Sequence, residues 1–245
     1  FRTNSMFDIA NYYSMHPVLL DEHFRSLPPI INFSNREFYG NRIRVMRQNN
    51  PNDKILEIVH VPDGKVDYDA TRNLPEIEAL VKRVHEIIVD NERENPDNPI
   101  TIGIISPFRA QVEQLKISLS KVISDYMMEK HKIEIGTAHT FQGDERDIIL
   151  ISWAFANNSF PQSLTFLQKP NLFNVAVTRA KNKMINFVSK DFTDLPDGLF
   201  RSYLSYIKEY DEKHEKIINK ELDENTYKNS FEREVAETLR DLGYE

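Results

Sequence analysis

Cysteine is absent from the 245 residues of this chain. Its absence excludes disulfides, zinc–thiolate sites and thiol nucleophiles together. A chain without disulfides fits a reducing compartment, and we expect a cytoplasmic protein. Long apolar runs are lacking as well, since none approaches the roughly 20 residues of a membrane helix, and we expect no membrane partner. The first residues show no basic start before an apolar stretch, so no secretion signal is predicted.

Glycine is scarce, and the seven glycines exclude a phosphate-binding loop of the form G-x-x-x-x-G-K-[ST]. The only Gly-Lys pair, Gly64-Lys65, is followed by Val66 and has no glycine five positions before it. No acidic pair after a predicted strand resembles a magnesium site. We conclude that this chain alone cannot cradle nucleotide phosphates in the usual way.

Positive charge is also in short supply, because the formal net charge is -7. This balance excludes a generic basic coat for nucleic acid but leaves room for a local basic groove. Hydrophobic residues make up 40% of the chain and charged residues 28%, which is ordinary for a globular protein with a sizeable core. The sequence does not begin with methionine, and we expect a fragment of a longer protein.

Short runs rich in isoleucine and valine predict five β-strands, at 56–61, 100–107, 132–138, 147–155 and 184–190. Their lack of alternation is typical of strands covered on both faces. Helical patterns between them predict an α/β fold, with a parallel sheet and helices on both of its faces. Ligands of such sheets bind beyond the carboxyl ends of the strands, so functional residues are expected in the loops that follow strands.

Two of the helical patterns define apolar faces. The first covers 74–91, with Pro75 in its first turn and an apolar face of Ile77, Leu80, Val81, Val84, Ile87 and Ile88. The second covers 108–127, with an apolar face of Val112, Leu115, Leu119, Val122 and Tyr126.

The carboxyl-terminal part of the chain changes character. Residues 206–229 are densely charged with both signs, which predicts an exposed helix or a linker. Residues 231–245 form an amphipathic pattern that predicts a further helix. We therefore divide the chain into one domain over 1–205, the charged stretch 206–229, and the start of a further domain over 230–245.

Two arginines are candidate functional residues because of their neighbours in the sequence. Arg25 follows Phe24 and precedes Pro28, which is expected to start a helix. Arg179 is expected within an apolar helix start just before a strand. Taken singly, each is interpreted as a surface or salt-bridged arginine, and His139 and Glu145 are interpreted as solvated loop residues.

Taken together, four segments resemble motifs of the second RecA-like domain of superfamily 1 helicases, in the branch of the Upf- and Dna-type enzymes. LDEHFRSLPPIINFSNREFYGNRI resembles the stretch after motif III, and IGIISPFRAQVEQLK resembles motif IV. GTAHTFQGDERDIILIS resembles motif V, and LFNVAVTRAKNKMINF resembles motif VI. The four occur in the family order over roughly residues 7 to 190. The resemblance implies a RecA-like fold of the P-loop NTPase type that lacks the P-loop itself.

The resemblance implies that Arg25 and Arg179 are arginine fingers. Each guanidinium would reach the γ-phosphate of an ATP molecule and neutralise charge as the phosphoryl group leaves. Phe24 would stack near the adenine. The P-loop and the acidic pair for Mg²⁺ belong to the upstream RecA-like domain in this family, so that domain would hold most of the ATP and the Mg²⁺.

Motif V implies two kinds of contact from one loop. Glu145 would hydrogen-bond the ribose, and Gln142 and Gly143 would lie on the nucleotide side, with the glycine permitting close backbone approach. Thr137 and His139 would face the backbone of a single strand of DNA or RNA.

Motif IV adds Ser106 and Arg109 to the implied nucleic-acid contacts. Two residues of motif V depart from the family pattern, namely Ala138 in place of valine and Asp144 where a basic residue is common. Asp144 makes the loop more acidic.

The implied function is that of the carboxyl-terminal motor domain of an ATP-dependent helicase, inactive without its upstream domain. Two alternatives stay open: a degenerate RecA-like module that binds nucleic acid without a motor, and an unrelated doubly wound enzyme with a complete pocket. The tail NSFEREVAETLRDLGYE resembles the first helix of restriction-endonuclease-like nuclease domains, with Glu232 at its acidic position. An ordinary amphipathic helix is the alternative for that segment.

Overall fold

The fold is that of a computed structural model, which describes residues 20–67 and 71–226, with side chains as far as Ile218. It also describes the isolated positions 9, 12, 13, 235, 238 and 239. Glu232 and most of the helix expected over 231–245 lie outside the described residues. Within the described part, no helix is both long and apolar enough to cross a membrane.

The described strands number seven. They are β1 (Glu22–His23), β2 (Arg44–Val45), β3 (Leu56–His60), β4 (Ile102–Ile105), β5 (Glu134–Gly136), β6 (Arg146–Ser152) and β7 (Ala180–Val188). The helices in the described part of the chain are α1 (Pro28–Tyr39), α2 (Leu74–Glu94), α3 (Arg109–Ser120), α4 (Asp125–Lys130), α5 (Pro161–Leu167), α6 (Pro170–Val177) and α7 (Leu199–Thr226). A 3₁₀ turn lies at Phe192–Asp194.

Five strands form a parallel sheet in the order β3-β7-β6-β4-β5, and β1 and β2 form a separate parallel pair. The α/β class and all five predicted strands are confirmed. Helices cover both faces of the sheet, as the unbroken apolar runs predicted. Alternate residues of β6 show this directly, because Ile149 belongs to one buried cluster and Leu150 to the other.

One face of the sheet packs against α2 and α3, and the other against α1, α6 and α7. Leu80 and Val84 of α2 meet Leu115 of α3 in the first cluster. The second cluster is aromatic and is built around Phe33, Trp153, Phe173, Phe200 and Tyr203. Burying each of these large side chains contributes roughly 2 to 3 kcal/mol, which stabilises the packing of the helices on the sheet.

The predicted helix over 108–127 is wrong in its second half. Helix α3 ends at Ser120, the chain turns, and Ser124 begins α4 by accepting a hydrogen bond from the backbone N–H of Met127. The turn leaves Val122 51% exposed and Tyr126 67% exposed. Ile123 is buried in their place. The earlier apolar positions of this helix and those of α2 face the core as predicted, apart from Ile87, which is partly buried.

The charged stretch from 206 does form a helix, but that helix begins earlier. Helix α7 has 28 residues, starts at Leu199, and runs through position 205 without a break. Its first turns are buried, with Phe200, Tyr203, Leu204 and Ile207 in the aromatic cluster. The division of the chain at 205 stays a prediction, and the helix carries the core continuously past that position.

Candidate nucleotide and nucleic-acid site

The two candidate finger arginines lie at the amino edge of the sheet, which is the end where its parallel strands begin. Arg179 stands between the end of α6 and the start of β7. The expectation that Arg179 lies in a helix start is wrong, because the apolar residues before it form the last turn of α6. Arg25 precedes α1, and its segment is docked on β7 by a 3.0 Å hydrogen bond from Leu27 N to the carbonyl oxygen of Lys181.

This position corrects the expectation that the functional loops follow strands. Glu145 immediately precedes β6 and Arg179 immediately precedes β7, and these two strands are neighbours. Because parallel strands begin at the same edge, the two residues share the amino edge of the sheet.

Glu145 holds two basic groups at this edge. Its Oε2 lies 2.5 Å from Arg25 Nε, and its Oε1 lies 3.3 Å from Lys181 Nζ. Arg25 Nε is buried and has no well-formed hydrogen bond, so the contact is an ion pair. A cleft of about 480 Å³ opens beside this pair and is lined by Glu22, His23, Phe24, Arg25 and Glu145. Phe24, in the wall of this cleft, is 64% exposed.

Arg179 is anchored by neighbouring oxygens. Its Nε donates to the carbonyl oxygen of Val175 at 3.0 Å, and its Nη2 donates to Thr178 Oγ1 at 3.0 Å. Burial lowers the pKa of Arg179, and the positive charge of Arg25 lowers it further. The two guanidinium groups are therefore close enough to repel each other. An anion placed between them would relieve that repulsion.

His23 belongs to the same cluster and was missed from the sequence. Its Nε2 accepts a 3.0 Å hydrogen bond from the backbone N–H of Ser26. Burial lowers the pKa of His23, and the charges of Arg25, Arg179 and Arg47 lower it further. Because its pKa is lowered, the imidazole of His23 is neutral at pH 7, and its unprotonated Nε2 can accept the hydrogen bond from Ser26.

Arg47 was also missed. Its Nη1 donates to the carbonyl oxygens of Arg25 at 2.6 Å and Lys181 at 3.1 Å. Its Nη2 donates to Asn182 Oδ1 at 2.9 Å. Arg47 thus ties the Arg25 segment to the first residues of β7. It lies in a polar stretch of the sequence, where no local pattern distinguishes it.

The loop 137–145 connects the two edges of the sheet. Strands β5 and β6 both pair with β4, on its two sides and in the same direction, so the loop must return across β4. Phe141 is fully buried at the crossing, and a Cβ added to Gly103 of β4 would lie 2.8 Å from Phe141 Cε1. Thr137 therefore lies at the carboxyl edge and Glu145 at the amino edge.

Gln142 and Gly143 are exposed on this loop. Gly143 has a φ of 89°, and nothing in the described chain lies within 4 Å of an added Cβ. The positive φ, not a close approach within the chain, accounts for glycine at this position.

Three of the four candidate nucleic-acid contacts meet at the carboxyl edge. Arg109 and His139 are exposed and Thr137 is half-buried, and all three line a cavity of about 590 Å³. Ser106 is different, because it is fully buried. Its Oγ accepts a 3.5 Å hydrogen bond from the backbone N–H of Phe108, so the structure gives this hydroxyl an internal contact.

A buried polar network lies behind this edge, and the sequence analysis did not find it. Glu76 Oε1 accepts hydrogen bonds from Ser189 Oγ at 2.6 Å and Asn73 Nδ2 at 3.1 Å. Its Oε2 accepts from Ser152 Oγ at 2.7 Å and the backbone N–H of Ala154 at 2.8 Å. Burial raises the pKa of Glu76 to about 7.

The network also reaches the helix that carries motif IV. Gln111 of α3 donates from Nε2 to Ser152 Oγ at 2.8 Å and accepts at Oε1 from the backbone N–H of Asn73 at 2.7 Å. The spacing of Asn73 and Glu76 is that of a helix capping box, which is the signal that could have identified the pair.

The described residues do not fit a metal site of their own. Among the described residues, no three histidine or acidic side chains lie close enough together to hold a metal ion. The basic cluster of Arg25, Arg179 and Lys181 fits an anion such as a phosphate group instead.

Comparison with known proteins assigns the chain to a family. The model of the AAA domain family matches residues 3–191, and the chain therefore belongs to that family. Helicase sen1 of Schizosaccharomyces pombe is 28% identical over 193 residues, which are 72% of this chain and 11% of that protein. The DNA replication ATP-dependent helicase/nuclease DNA2 of Gallus gallus is 30% identical over 208 residues, which are 69% of this chain and 20% of that protein.

These findings support the resemblance seen in the motifs, and the chain is a RecA-like domain of the superfamily 1 helicase type. It spans only between about a tenth and a fifth of the length of those relatives. A crystal structure of the C-terminal domain of a possible DNA helicase from Lactobacillus plantarum is 15% identical, with a TM-score of 0.42, and covers 67% of this chain and 86% of that one. The fold assignment rests on the strand order and not on that superposition.

Proposed function

We propose that this chain is the carboxyl-terminal motor domain of an ATP-dependent helicase that acts on single-stranded DNA or RNA. The observation that carries the proposal is the meeting of Arg25 and Arg179 at one edge of the sheet, although they are far apart in the sequence. The positive charge of Arg25 helps to lower the pKa of Arg179, and Glu145 contacts Arg25, so a common ligand is supported. That ligand would be the γ-phosphate of an ATP molecule held by the upstream domain.

The existing contacts suit such a role for the two arginines. Arg179 is fixed by Val175 and Thr178, which aims its guanidinium without a further loss of side-chain freedom. Arg25 is instead held by Glu145, and an incoming phosphate would compete with that carboxylate. A released Arg25 could offer two parallel N–H groups to phosphate oxygens. Arg179 already donates from Nε and Nη2 to the chain, and its Nη1 makes only long contacts of 3.5 Å with the carbonyl oxygens of Phe141 and Asp144, which a phosphate could replace.

Release of Arg25 would free Glu145 for a ribose hydroxyl, since its carboxylate can accept two hydrogen bonds. Phe24, exposed beside the cleft, offers a ring face for the adenine. The upstream domain would supply the P-loop and the acidic ligands of Mg²⁺, because the described residues offer neither. Closure of the two domains on ATP and their reopening after hydrolysis would move the motor along a strand.

The strand would lie across the carboxyl edge, at Arg109, Thr137 and His139. The loop 137–145 joins that edge to Glu145 at the amino edge, so both surfaces share one segment. This arrangement supports coupling between strand binding and the nucleotide, because a displacement of the loop at one end would be carried to the other through Phe141, which is buried.

The test uses a protein that contains this domain together with its ATP-binding domain. We expect Arg179→Ala to lower the nucleic-acid-stimulated ATPase by about 10³-fold or more, as removal of an arginine finger does. Strand binding, measured in parallel, should be retained. Arg201→Ala, at a half-exposed arginine of α7 that pairs with Asp197, is the matched control. An Arg179→Ala activity within a few-fold of wild type would refute the finger assignment and favour a binding module without a motor.

A further inference from the structure

Helix α7 contacts both of the segments that support Arg25. Its first turns lie in the aromatic cluster, and its later turns reach the residues just before β3, at the amino edge of the sheet. Tyr206, Tyr210 and His214 share one face of this helix, because they are spaced four residues apart. Each of the three is hydrogen-bonded to a backbone carbonyl oxygen outside the helix.

The first contact is with the segment that carries Arg25 itself. Tyr206 Oη donates a 2.7 Å hydrogen bond to the carbonyl oxygen of Pro29, which lies in the first turn of α1 shortly after Arg25. The ring of Tyr206 packs against Phe33 of the same helix, with centroids 5.6 Å apart. The start of α1, to which the backbone of Arg25 is joined, is therefore held by α7.

The second contact is with the loop that leads from Arg47 to β3. Tyr210 Oη accepts a 3.1 Å hydrogen bond from the backbone N–H of Ile55 and donates at 3.0 Å to the carbonyl oxygen of Asp53. The phenol thus uses both its donor and its acceptor on this loop. At the other end of the loop, Arg47 donates to the carbonyl oxygen of Arg25 at 2.6 Å. Tyr210 therefore holds the loop that carries the guanidinium of Arg47.

The next turn of α7 adds two further contacts to this loop. His214 Nε2 donates to the carbonyl oxygen of Asn52 at 3.0 Å, and its ring is stacked on that of Tyr210 with centroids 6.0 Å apart. Asp211 Oδ1 forms a 2.7 Å ion pair with Lys54 Nζ. His214 is buried, although it belongs to the densely charged stretch of the sequence. That stretch thus contributes a buried face that packs on the loop.

The hydroxyl groups of Tyr206 and Tyr210 differ in direction from that of a nearby tyrosine on the same helix. The hydroxyl of Tyr203 donates at 2.9 Å to Met184 Sδ of β7, inside the core. Those of Tyr206 and Tyr210 reach instead the two segments that meet at Arg25. Loss of such supports would let a catalytic group move, and small departures from the productive geometry slow a reaction strongly.

We propose that Tyr206 and Tyr210 are positioning residues for Arg25, so that this face of α7 takes part in ATP hydrolysis as well as covering the sheet. The inference rests on the proposed function, in which Arg25 reaches the γ-phosphate. It adds that the placement of that guanidinium depends on a helix that follows all four motifs in the sequence.

The test measures steady-state ATPase of the protein that contains both motor domains, with Tyr206→Phe and Tyr210→Phe singly and combined. These changes remove the hydroxyl groups and keep the rings. We expect the combined variant to lower kcat roughly 5- to 50-fold, with less than about a three-fold change in the KM for ATP, because a misplacement of about 1 Å can cost about 100-fold. Tyr203→Phe, which removes a buried hydroxyl from the same helix, is the matched control and should leave kcat nearly unchanged.

A double-mutant cycle with Arg25→Ala separates positioning from a general loss of stability. In the Arg25→Ala background, the two phenylalanine changes should lower kcat no further, because residues that act as one unit are not additive. Thermal unfolding of each variant establishes an assay temperature at which all of them are folded. Either single phenylalanine variant decides the matter if the combined variant is unstable at that temperature.

The outcomes distinguish this inference from the proposed function. If Arg25→Ala lowers kcat and the phenylalanine changes do not, the inference is overturned and the proposed function stands. Equal losses from the phenylalanine changes with and without Arg25 would also overturn it, because the hydroxyl groups would then act elsewhere. If Arg25→Ala leaves kcat unchanged, Arg25 is removed from the proposed function, and the inference fails with it.

Discussion

Arg47 Nη1 donates a hydrogen bond of 2.6 Å to the carbonyl oxygen of Arg25. The same atom reaches the carbonyl oxygen of Lys181 at 3.1 Å. One guanidinium therefore fixes the backbone of a candidate finger against the first residues of β7. We infer that Arg47 is a positioning residue, since it holds the backbone of Arg25 and Lys181.

If Arg47 positions Arg25, its loss should harm the chemical step more than the binding of ATP. We expect Arg47→Ala to lower kcat roughly 10- to 100-fold, because a small misplacement of a catalytic group has that effect. The KM for ATP should change by only a few-fold. The measurement is steady-state ATPase of the protein that contains both motor domains.

A double-mutant cycle separates positioning from general destabilisation. The double variant Arg47→Ala with Arg25→Ala should be no worse than Arg25→Ala alone, because the two residues act as one unit. Arg93→Ala, at the exposed end of α2, is the control. Fully multiplicative losses in the double variant would show that Arg47 does not act through Arg25.

Contact with phosphate at Arg109 should appear in the salt dependence of strand binding. Each neutralised phosphate contributes about 0.7 to the slope of log affinity against log salt for single strands. We expect Arg109→Ala to reduce the magnitude of that slope by about 0.7. Titrations of a dT octamer at several salt concentrations measure it, with Arg201→Ala as the reference variant. An unchanged slope would remove Arg109 from the interface.

The crossing of the loop 137–145 over β4 depends on the absence of a side chain at Gly103. A Cβ there would lie 2.4 Å from Ile149 Cδ1 and 2.8 Å from Phe141 Cε1. We expect Gly103→Ala to lower the free energy of unfolding by about 1 to 3 kcal/mol, as overpacking of a core does. Urea denaturation measures it.

The comparison variant is Gly40→Ala, at the end of α1, where an added Cβ meets nothing within 4 Å. Its cost should be about 1 to 2 kcal/mol, from the positive φ alone. The crossing predicts a further difference: Gly103→Ala, unlike Gly40→Ala, should weaken strand binding because it displaces Phe141. Equal strand affinity of the two variants would contradict the proposed coupling through this loop.

The buried carboxyl of Glu76 should make stability depend on pH. Its pKa is raised from 4.5 to about 7 in the folded chain, so the folded state binds more protons than the unfolded state between those values. The resulting stabilisation is complete below pH 4.5 and is lost as the pH rises through 7. The total is roughly 3 kcal/mol, at about 1.4 kcal/mol per pKa unit.

Glu76→Gln should abolish this pH-dependent component. The difference in free energy of unfolding between wild type and Glu76→Gln should fall by roughly 3 kcal/mol from pH 4.5 to pH 7.5. Glu78→Gln, at an exposed position of the same helix, should show no such trend. A constant difference between wild type and Glu76→Gln would mean that Glu76 is ionised throughout this range.

Local patterns in the sequence predicted the elements well because their causes are local. The runs of isoleucine and valine predicted the five parallel strands, and Pro28 and Pro75 were correctly placed in first turns of helices. The break after Ser120 was missed because the apolar spacing continues through Val122 and Tyr126. Ser124, which caps the next helix, was the available local signal.

The arrangement of the candidate site depends on contacts that no local pattern contains. Motif resemblance identified Arg25 and Arg179, yet the strand order alone places them at the amino edge of the sheet. Arg47 and His23 came to light only through hydrogen bonds and charges between distant segments. Ser106 was assigned to the strand from its motif, whereas burial gives its hydroxyl an internal hydrogen bond.

The crossing loop also has a thermodynamic consequence. Thr137 and Glu145 are the two ends of one short segment pinned at its middle by Phe141. If a strand bound at one end changes the affinity for ATP at the other, ATP must change the affinity for the strand by the same factor. Because of this reciprocity, a substitution in the loop that abolishes the effect of the strand on ATP affinity should also abolish the effect of ATP on strand affinity.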